Sequence, residues 1–315
     1  MSISRNILLK MSESTFLKKH VPNIWFVRKA LKRFMPGETE EAAFIESKKL
    51  ALLGIPTVYT RLGENIKNLD EADEVKNHYL QLIDKIKSQN LDIEISLKLT
   101  QLGFDISEEE TYNNFKAIIG KANAILNNTV FGESTTSWID IEGSLYTQRT
   151  IDFYKRIKFE FDNVGLCLQA YLYRTEKDLN ELIDFRPIIR LVKGAYKEPE
   201  NIAFPQKRAV DENYFKLSQR LMKEIKEKNI RSAFATHDEK LIGKIINEAR
   251  TIHLPKDKLE FQMLYGIKPE LQKELAKDGY KVRVLISYGA SWYPWYMRRL
   301  AERPANVWFV LKNIF

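Results

Sequence analysis

The stretch IEISLKLTQLGFDISEEETYNNFKAIIGKANAILNNTVFGESTTSWIDI, residues 93–141, reads as strand, helix, strand. Its ends, Ile93–Leu99 and Trp138–Ile141, are short and rich in β-branched and aromatic residues, and Glu108–Asn127 between them carries apolar side chains at helical spacing. A crossover of this kind lays its two strands parallel with the helix on one face. The same alternation continues outward. Upstream lie the run Pro56–Tyr59 and the helical segment Glu71–Lys87. Downstream come the runs Val164–Leu168, Ile188–Val192, Arg231–Ala235, Leu259–Leu264 and Val282–Ile286, with helical patterns at Leu145–Phe159, Glu212–Lys226 and Lys268–Lys277. Eight such units in about 260 residues predict an α/β fold in which the strands close into a (β/α)8 barrel. The predicted division is a basic helical arm, residues 1–41, followed by a barrel, residues 42–315.

Composition narrows the function classes. A chain of 315 residues with 44% hydrophobic and 29% charged residues is globular rather than disordered. Cys167, the single cysteine, cannot form an internal disulfide, and no CxxC or HExxH spacing offers a metal site. A reducing, cytoplasmic compartment is expected, and no run of about 18 uncharged apolar residues predicts a membrane span. The formal charge of +8 is local: residues 1–36 sum to +7 and the remaining 279 to +1. The body therefore has no basic track for nucleic acid. In the arm, Phe16, Leu17, Val21, Ile24, Trp25, Ala30, Leu31 and Phe34 interleave with the basic residues, and Pro22 interrupts any single helix. Two uses are open for that apolar side: packing on the barrel, or peripheral contact with an anionic membrane.

In a parallel barrel, chemistry gathers at the strand C-termini. Those ends are polar here: Thr60 and Glu64, Lys98, Asp140 and Glu142, Gln169, Arg190 and Lys193, Thr236-His237-Asp238, and Gln262. Glu64, Lys98 and Asp140 around one mouth can receive a zwitterion, the cation taking its carboxylate and the acids its ammonium; equally, they can pair with one another. Arg298 and Arg299, in a helix opened by Ser291, offer guanidinium forks suited to a carboxylate. They point about 100° apart, so both reach the mouth only if the helix lies across it. RLVKGAY, residues 190–196, ends a strand in a cation and a glycine that permits close backbone approach, but it is no dinucleotide fingerprint or phosphate loop. His237 can bond a cofactor, bond a loop or move a proton. Cys167, within an apolar strand, reads as a buried, inert thiol.

Together these segments make the chain recognisable. ISLKLTQLG (95–103), LQAYLYRTEKDL (168–179), RLVKGAY (190–196), FATHD (234–238), FQMLYG (261–266) and YMRRLAERPAN (296–306) resemble, in order, the motifs of flavin-dependent proline dehydrogenases of the compact monofunctional bacterial type. The resemblance covers roughly residues 36–312. It implies a distorted TIM-type barrel binding FAD at the strand C-termini, with the last helix over the mouth. It further implies that Lys98, Arg298 and Arg299 grip the substrate carboxylate and that Asp140 sits near its amine. Tyr196, Leu264, Leu285 and Tyr288 then surround the ring, and Arg190 lies near flavin N5. Gln169, Val192, Lys193, Gly194, Ala195, Thr236, His237 and Glu302 become cofactor contacts, and Glu64 with Arg298 a gate. The implied reaction is hydride transfer from a cyclic amino acid to FAD. Its product is 1-pyrroline-5-carboxylate if the substrate is proline, its electron acceptor a quinone, and a separate 1-pyrroline-5-carboxylate dehydrogenase a candidate partner.

Two positions depart from the family pattern. On the eighth strand the related enzymes read Arg-Xaa-Tyr-Val-Pro-Tyr-Gly, whereas residues 283–289 here are RVLISYG, with Leu285 for the Tyr and Ser287 for the Pro. On the first strand Thr60 stands where an Asp is usual. Both departures bear on the choice of ring: proline, or hydroxyproline or another cyclic secondary amino acid. They are also what a flavin-binding sensor or scaffold without catalysis would show.

Overall fold

A computed structural model describes residues 11, 14–21, 27, 31–63, 66–126, 129–132 and 134–302, with backbone alone at 15, 18, 19, 298, 299, 301 and 302. Eight strands, β1 (Thr57–Arg61), β2 (Ile93–Leu97), β3 (Ser137–Ile139), β4 (Val164–Gln169), β5 (Ile188–Val192), β6 (Ser232–Ala235), β7 (Glu260–Leu264) and β8 (Lys281–Tyr288), close in sequence order. Every neighbouring pair is parallel, and β8 returns to pair with β1. The described helices are α1 (Thr15–His20), α2 (Glu40–Ala51), α3 (Leu69–Gln89), α4 (Glu108–Ile125), α5 (Thr147–Lys158), α6 (Thr175–Leu182), α7 (Lys207–Lys228), α8 (Glu239–Thr251), α9 (Pro269–Lys277) and α10 (Trp292–Glu302).

The predicted barrel is present, with shifted boundaries. The third strand stops at Ile139, the last residue in register with β2, so Asp140 and Ile141 belong to the loop. The boundary expected between residues 41 and 42 falls inside α2. Helix ends follow local chemistry: Asn68, Ser107 and Asp238 accept N-cap hydrogen bonds for α3, α4 and α8. Asn90 and Asn229 close α3 and α7 in the left-handed conformation.

Strand alternation sorts the side chains into two sets. Ile93, Ile95, Leu97, Ile189, Leu191, Phe261, Met263, Val284 and Ile286 face outward into the main core, against Tyr79, Leu82 and Ile83 of α3 and Phe115, Ile118 and Ile119 of α4. Each fully buried Leu or Ile there contributes about 1.5–3 kcal/mol. The opposite parity faces the lumen. Val58, Trp138 and Ala233 pack there, with Leu285 and Ile188 against them. Lumen positions nearer the strand N-termini are charged. Arg231 grips Glu260 bidentately at 2.8 and 2.9 Å and reaches across the barrel to Glu94 at 2.6 Å. Arg283 holds Asp92 at 2.8 Å and lies 3.4 Å from Glu94. Burial would raise the Glu260 carboxyl, but the two arginines, Arg231 foremost, hold it at about 2.

The arm meets the far end of the chain. Val27, Leu31 and Met35 are buried against Trp292, Tyr293, Trp295, Tyr296, Met297 and Leu300 of α10, with Leu17, Val21 and Phe34 packed alongside. Trp292 Nε1 donates to Glu38 at 3.0 Å and the Tyr293 hydroxyl to the Met11 carbonyl at 3.1 Å. Packing, the first of the two expected uses, thus occupies these apolar residues, on α10 rather than on the strands; Phe16 is 67% exposed. Ile24, Trp25 and Ala30 lie outside the described residues.

Candidate active site

The C-terminal ends of the strands carry a second polar layer centred on Arg190. The lumen parity of β5 puts Arg190 inside, 3% exposed, with its guanidinium 4.3 Å from the Trp138 ring centroid. Its Nε donates to Gln262 Oε1 at 2.6 Å. Its Nη1 donates to Ser96 Oγ at 2.9 Å and to Asp140 Oδ1 at 2.8 Å. Ser96 Oγ also donates to Asp140 Oδ1, at 2.7 Å. Nη2 is buried and has no partner among the described residues. Trp138 cannot slide away: its Nε1 donates to Glu94 at 2.7 Å, and its ring lies where a side chain on Gly165 would be, 2.3 Å from an added Cβ.

The other expected site residues divide by face. Lys98 follows β2, half-buried, and Gln169 ends β4 with its Nε2 donating to the Glu142 carbonyl at 2.9 Å. Thr236 is buried after β6, and its Oγ1 accepts the Asp238 N–H at 3.2 Å. His237 Nε2 accepts the Leu264 N–H at 2.8 Å. That bond places the neutral ring's proton on Nδ1 and occupies the lone pair a base would need. Val192 ends β5, and Lys193 just beyond it donates to Asp211 and Asp238 at 2.5 and 2.9 Å. Burial alone would raise the Asp238 carboxyl; its bond with Lys193 brings it down to about 2. Gly194 has φ +117°, and an added Cβ would meet the Tyr171 ring at 2.2 Å, so the space its missing side chain leaves is taken by protein. Ala195 and Tyr196 follow, half-buried. Leu264 and Leu285 are paired across β7 and β8.

Tyr288 corrects an expectation. As the last residue of β8 it has outward parity, and its hydroxyl is 2.7 Å from His78 Nε2 with its ring 5.9 Å from Tyr59, under α3 rather than in the mouth. Burial pushes its phenol well above the ordinary value. Burial, and secondarily Arg61, lowers His78 to about 4. Burial raises the Cys167 thiol to about 12, as an inert thiol requires. Glu64 lies outside the described residues, and for Arg298, Arg299 and Glu302 only the backbone within α10 is described. That helix leaves the C-terminal end of β8 and packs on Leu62, just past β1, which places it at the same end as Lys98 and Asp140. A wide depression of about 1390 Å³ at the opposite end, lined by Phe131, Arg231, Glu260 and Lys281 among others, holds none of these groups.

The layout is that of a barrel enzyme with a buried cation beneath a polar mouth, and comparison with known proteins gives it a family. The model described as proline dehydrogenase matches residues 44–312. The chain belongs to the proline dehydrogenase family. Proline dehydrogenase 2 of Bacillus subtilis strain 168 is 38% identical over 312 residues, 99% of each chain. The proline dehydrogenase of Deinococcus radiodurans is 36% identical over 287 residues, 90% of this chain and 89% of that one. Among solved structures, proline utilization A from Bdellovibrio bacteriovorus, inactivated by N-propargylglycine, superposes with TM-score 0.78 at 22% identity. This chain aligns over 95% of its length and spans 36% of that larger protein, a likeness of fold. Of three lumen residues bound to or stacked on Arg190, sequence reasoning missed Ser96 and Trp138, and it listed Gln262 only as a polar strand end without a role. The available signal was parity, since each shares its strand's inward face with a site residue.

Proposed function

We propose that the protein oxidises L-proline to 1-pyrroline-5-carboxylate with FAD as hydride acceptor and passes the electrons to a quinone. One observation carries this reading: the buried Arg190 guanidinium, fixed through Nε and Nη1, keeps Nη2 unpartnered among the described residues. A buried donor in that state costs roughly 1–3 kcal/mol, more when charged, and an acceptor on a bound heterocycle removes the cost. The residues in this respect fit a flavin. Gln169, Val192, Lys193, Gly194, Ala195, Thr236, His237 and Glu302 would hold it, with Arg190 beside its reacting edge. Bound FAD would supply the hydride-accepting centre.

The chain's own groups supply binding, alignment and charge. Lys98, Arg298 and Arg299 hold the substrate carboxylate, which anchors the ring and orients the carbon beside nitrogen. Asp140 spends Oδ1 on Arg190 and Ser96, leaving Oδ2 for the substrate amine. Tyr196, Leu264 and Leu285 wall the ring, and the apolar wall keeps water from the reacting carbon. Glu64 and Arg298 close the gate, a role resting on the motif resemblance. A second reading follows from Leu285, which packs against the lumen cluster of Val58, Trp138 and Ala233 where relatives carry a tyrosine. A shorter wall admits a substituted ring, such as hydroxyproline. Flavin bleaching by a panel of cyclic amino acids, on the wild type and Leu285→Tyr, decides among these. Proline reduces the wild type, and Leu285→Tyr moves the preference away from substituted rings. Flavin-loaded protein that stays oxidised with every cyclic amino acid would leave only a sensor or scaffold.

Product release supplies a separate 1-pyrroline-5-carboxylate dehydrogenase. Quinone reduction places the protein in the cytoplasm, peripheral at the inner face of the membrane, with the basic side of the arm toward anionic lipid. Among the described residues no helix is long and apolar enough to cross a membrane. Deleting the arm would uncover α10, so the test keeps the full chain and replaces Lys18, Lys19, Lys29 and Lys32 by glutamine. The wild type binds anionic vesicles at low salt and the variant does not; equal binding to neutral vesicles would end the membrane assignment.

A further inference from the structure

Gln262 sits between the two polar layers of the lumen. Its Oε1 accepts from Arg190 Nε at 2.6 Å, and its Nε2 donates to Glu260 Oε1 at 2.7 Å. Both neighbours act in one direction only: a guanidinium cannot accept a hydrogen bond, and an ionised carboxylate cannot donate one. Glu260 is kept ionised by Arg231, which grips it bidentately. The Gln262 amide therefore has one orientation, with its carbonyl toward Arg190. Trp138 fixes the same guanidinium from its face and is itself pinned by Glu94, on which Arg231 also holds.

We propose that Gln262 is a positioning residue for hydride transfer: held by Glu260, it sets the tilt of Arg190 so that Nη2 remains the donor available at the mouth. The proposal deepens the functional reading above and rests on it. Gln262 touches neither substrate nor flavin in this account; it acts through Arg190. Without it, the guanidinium keeps Asp140 and Ser96 through Nη1 alone and can pivot about that one nitrogen in the plane over Trp138, and a donor displaced from a developing charge loses much of its effect.

The test compares Gln262→Met, which keeps the side-chain length but removes the acceptor, with Gln262→Glu, whose carboxyl is kept protonated by the ionised Glu260 beside it, donating to Glu260 as the amide does and keeping a neutral carbonyl for Arg190. In flavin-loaded Gln262→Met, kcat with proline should fall about tenfold while KM changes less than twofold, because the carboxylate clamp is untouched. The midpoint potential of the bound flavin should drop by about 30 mV, the two-electron equivalent of a tenfold change. Gln262→Glu should recover most of kcat. A Gln262→Met enzyme with wild-type kcat and potential would overturn the proposal, and so would Gln262→Glu failing as badly as Gln262→Met. A third readout needs no turnover. In ¹⁵N-arginine-labelled protein, the Arg190 Nε–H should be protected from solvent exchange in the wild type and in Gln262→Glu. Absence of that protection in the wild type overturns the link. If wild-type flavin is not reduced by proline, the functional reading fails, while this exchange measurement still decides whether Gln262 holds Arg190.

Discussion

Removing Arg231 tests the energetic logic of the lumen. Arg231 is the counter-charge for two nearly inaccessible carboxylates, Glu94 and Glu260, 1% and 2% exposed, through contacts of 2.6–2.9 Å. Arg231→Met fills the volume of the stem and leaves those acids with Arg283, which approaches Glu94 at 3.4 Å and Glu260 only at 3.9 Å. Breaking a buried pair from one side costs about 3–5 kcal/mol, because the remaining charge stays desolvated. At about 2.1 cal/mol/K of unfolding entropy per residue, a chain of 315 residues should lose about 5–8 °C in Tm. The pH dependence distinguishes this mechanism from a simple packing defect. In the wild type the Glu260 pKa is depressed, so its contribution is fully present above the ordinary carboxylate value and is lost only as pH falls toward about 2. Between pH 5 and 8 that term is flat. In the variant, burial without Arg231 raises the pKa, so the penalty is largest at pH 8 and eases as protonation neutralises the acid. Urea unfolding of both proteins at pH 8 and pH 5 measures this. A deficit below about 1 kcal/mol at pH 8, or one that is equal at both pH values, would refute the reasoning.

Three further outcomes are expected. Gly165→Ala places a methyl 2.3 Å from a Trp138 ring that Glu94 and Arg190 hold in place; overpacking should cost about 1–3 kcal/mol in unfolding experiments and lower kcat through Arg190. His78, lowered to about 4 by burial, binds protons more readily in the unfolded chain, so stability should decline as pH falls from 6.5 toward 4. Allowing for the partial exposure of its ring, the loss between pH 7 and pH 5 is about 1 kcal/mol, and His78→Gln should flatten it. Asp140→Asn removes the counter-ion 2.8 Å from Arg190 and should raise the flavin midpoint potential, opposite in sign to Gln262→Met, when both are measured by dye equilibration.

Much of this was legible in the sequence because alternation of strand and helix is a long-range pattern written locally. All eight strands lie within a few residues of the apolar runs that predicted them, and parity alone separates Lys98, Asp140, Gln169, Arg190 and Leu264 from the outward positions. Tyr288 was misplaced because it followed a motif rather than parity: Arg283 and Leu285 alternate into the lumen, which sends Tyr288 out. The charged floor left a trace, since IEISL, EFQML and VRVLI each carry a charge inside an apolar run, which a buried strand tolerates only with a partner. Which acid meets which arginine depends on the stagger of the closed barrel, and no local pattern encodes that. The arm on α10 was beyond reach for the same reason: Met11 and Tyr293 are 282 residues apart.

Arg190 is where the two polar layers meet, and its charge cannot be assigned to one role. A lone guanidinium in the lumen would be strongly disfavoured without a counter-ion, yet full neutralisation would leave nothing to stabilise negative charge developing at the mouth. Asp140 and Gln262 divide that requirement. Asp140 provides the counter-charge through Oδ1, which it shares with Ser96, and its side chain stays 19% exposed, which the proposed function uses for the substrate amine. Gln262 provides an acceptor without charge, so it fixes direction while leaving the cation's field intact. The choice of an amide at 262 and a carboxylate at 140 is therefore not interchangeable. An ionised group at the first position would pull the cation's field away from the mouth, which a neutral acceptor there, amide or protonated acid, does not do; removing the charge at the second strengthens that field. Opposite shifts of flavin potential in Gln262→Met and Asp140→Asn are the signature of that division. Shifts of the same sign would mean that the two residues serve only to keep Arg190 buried.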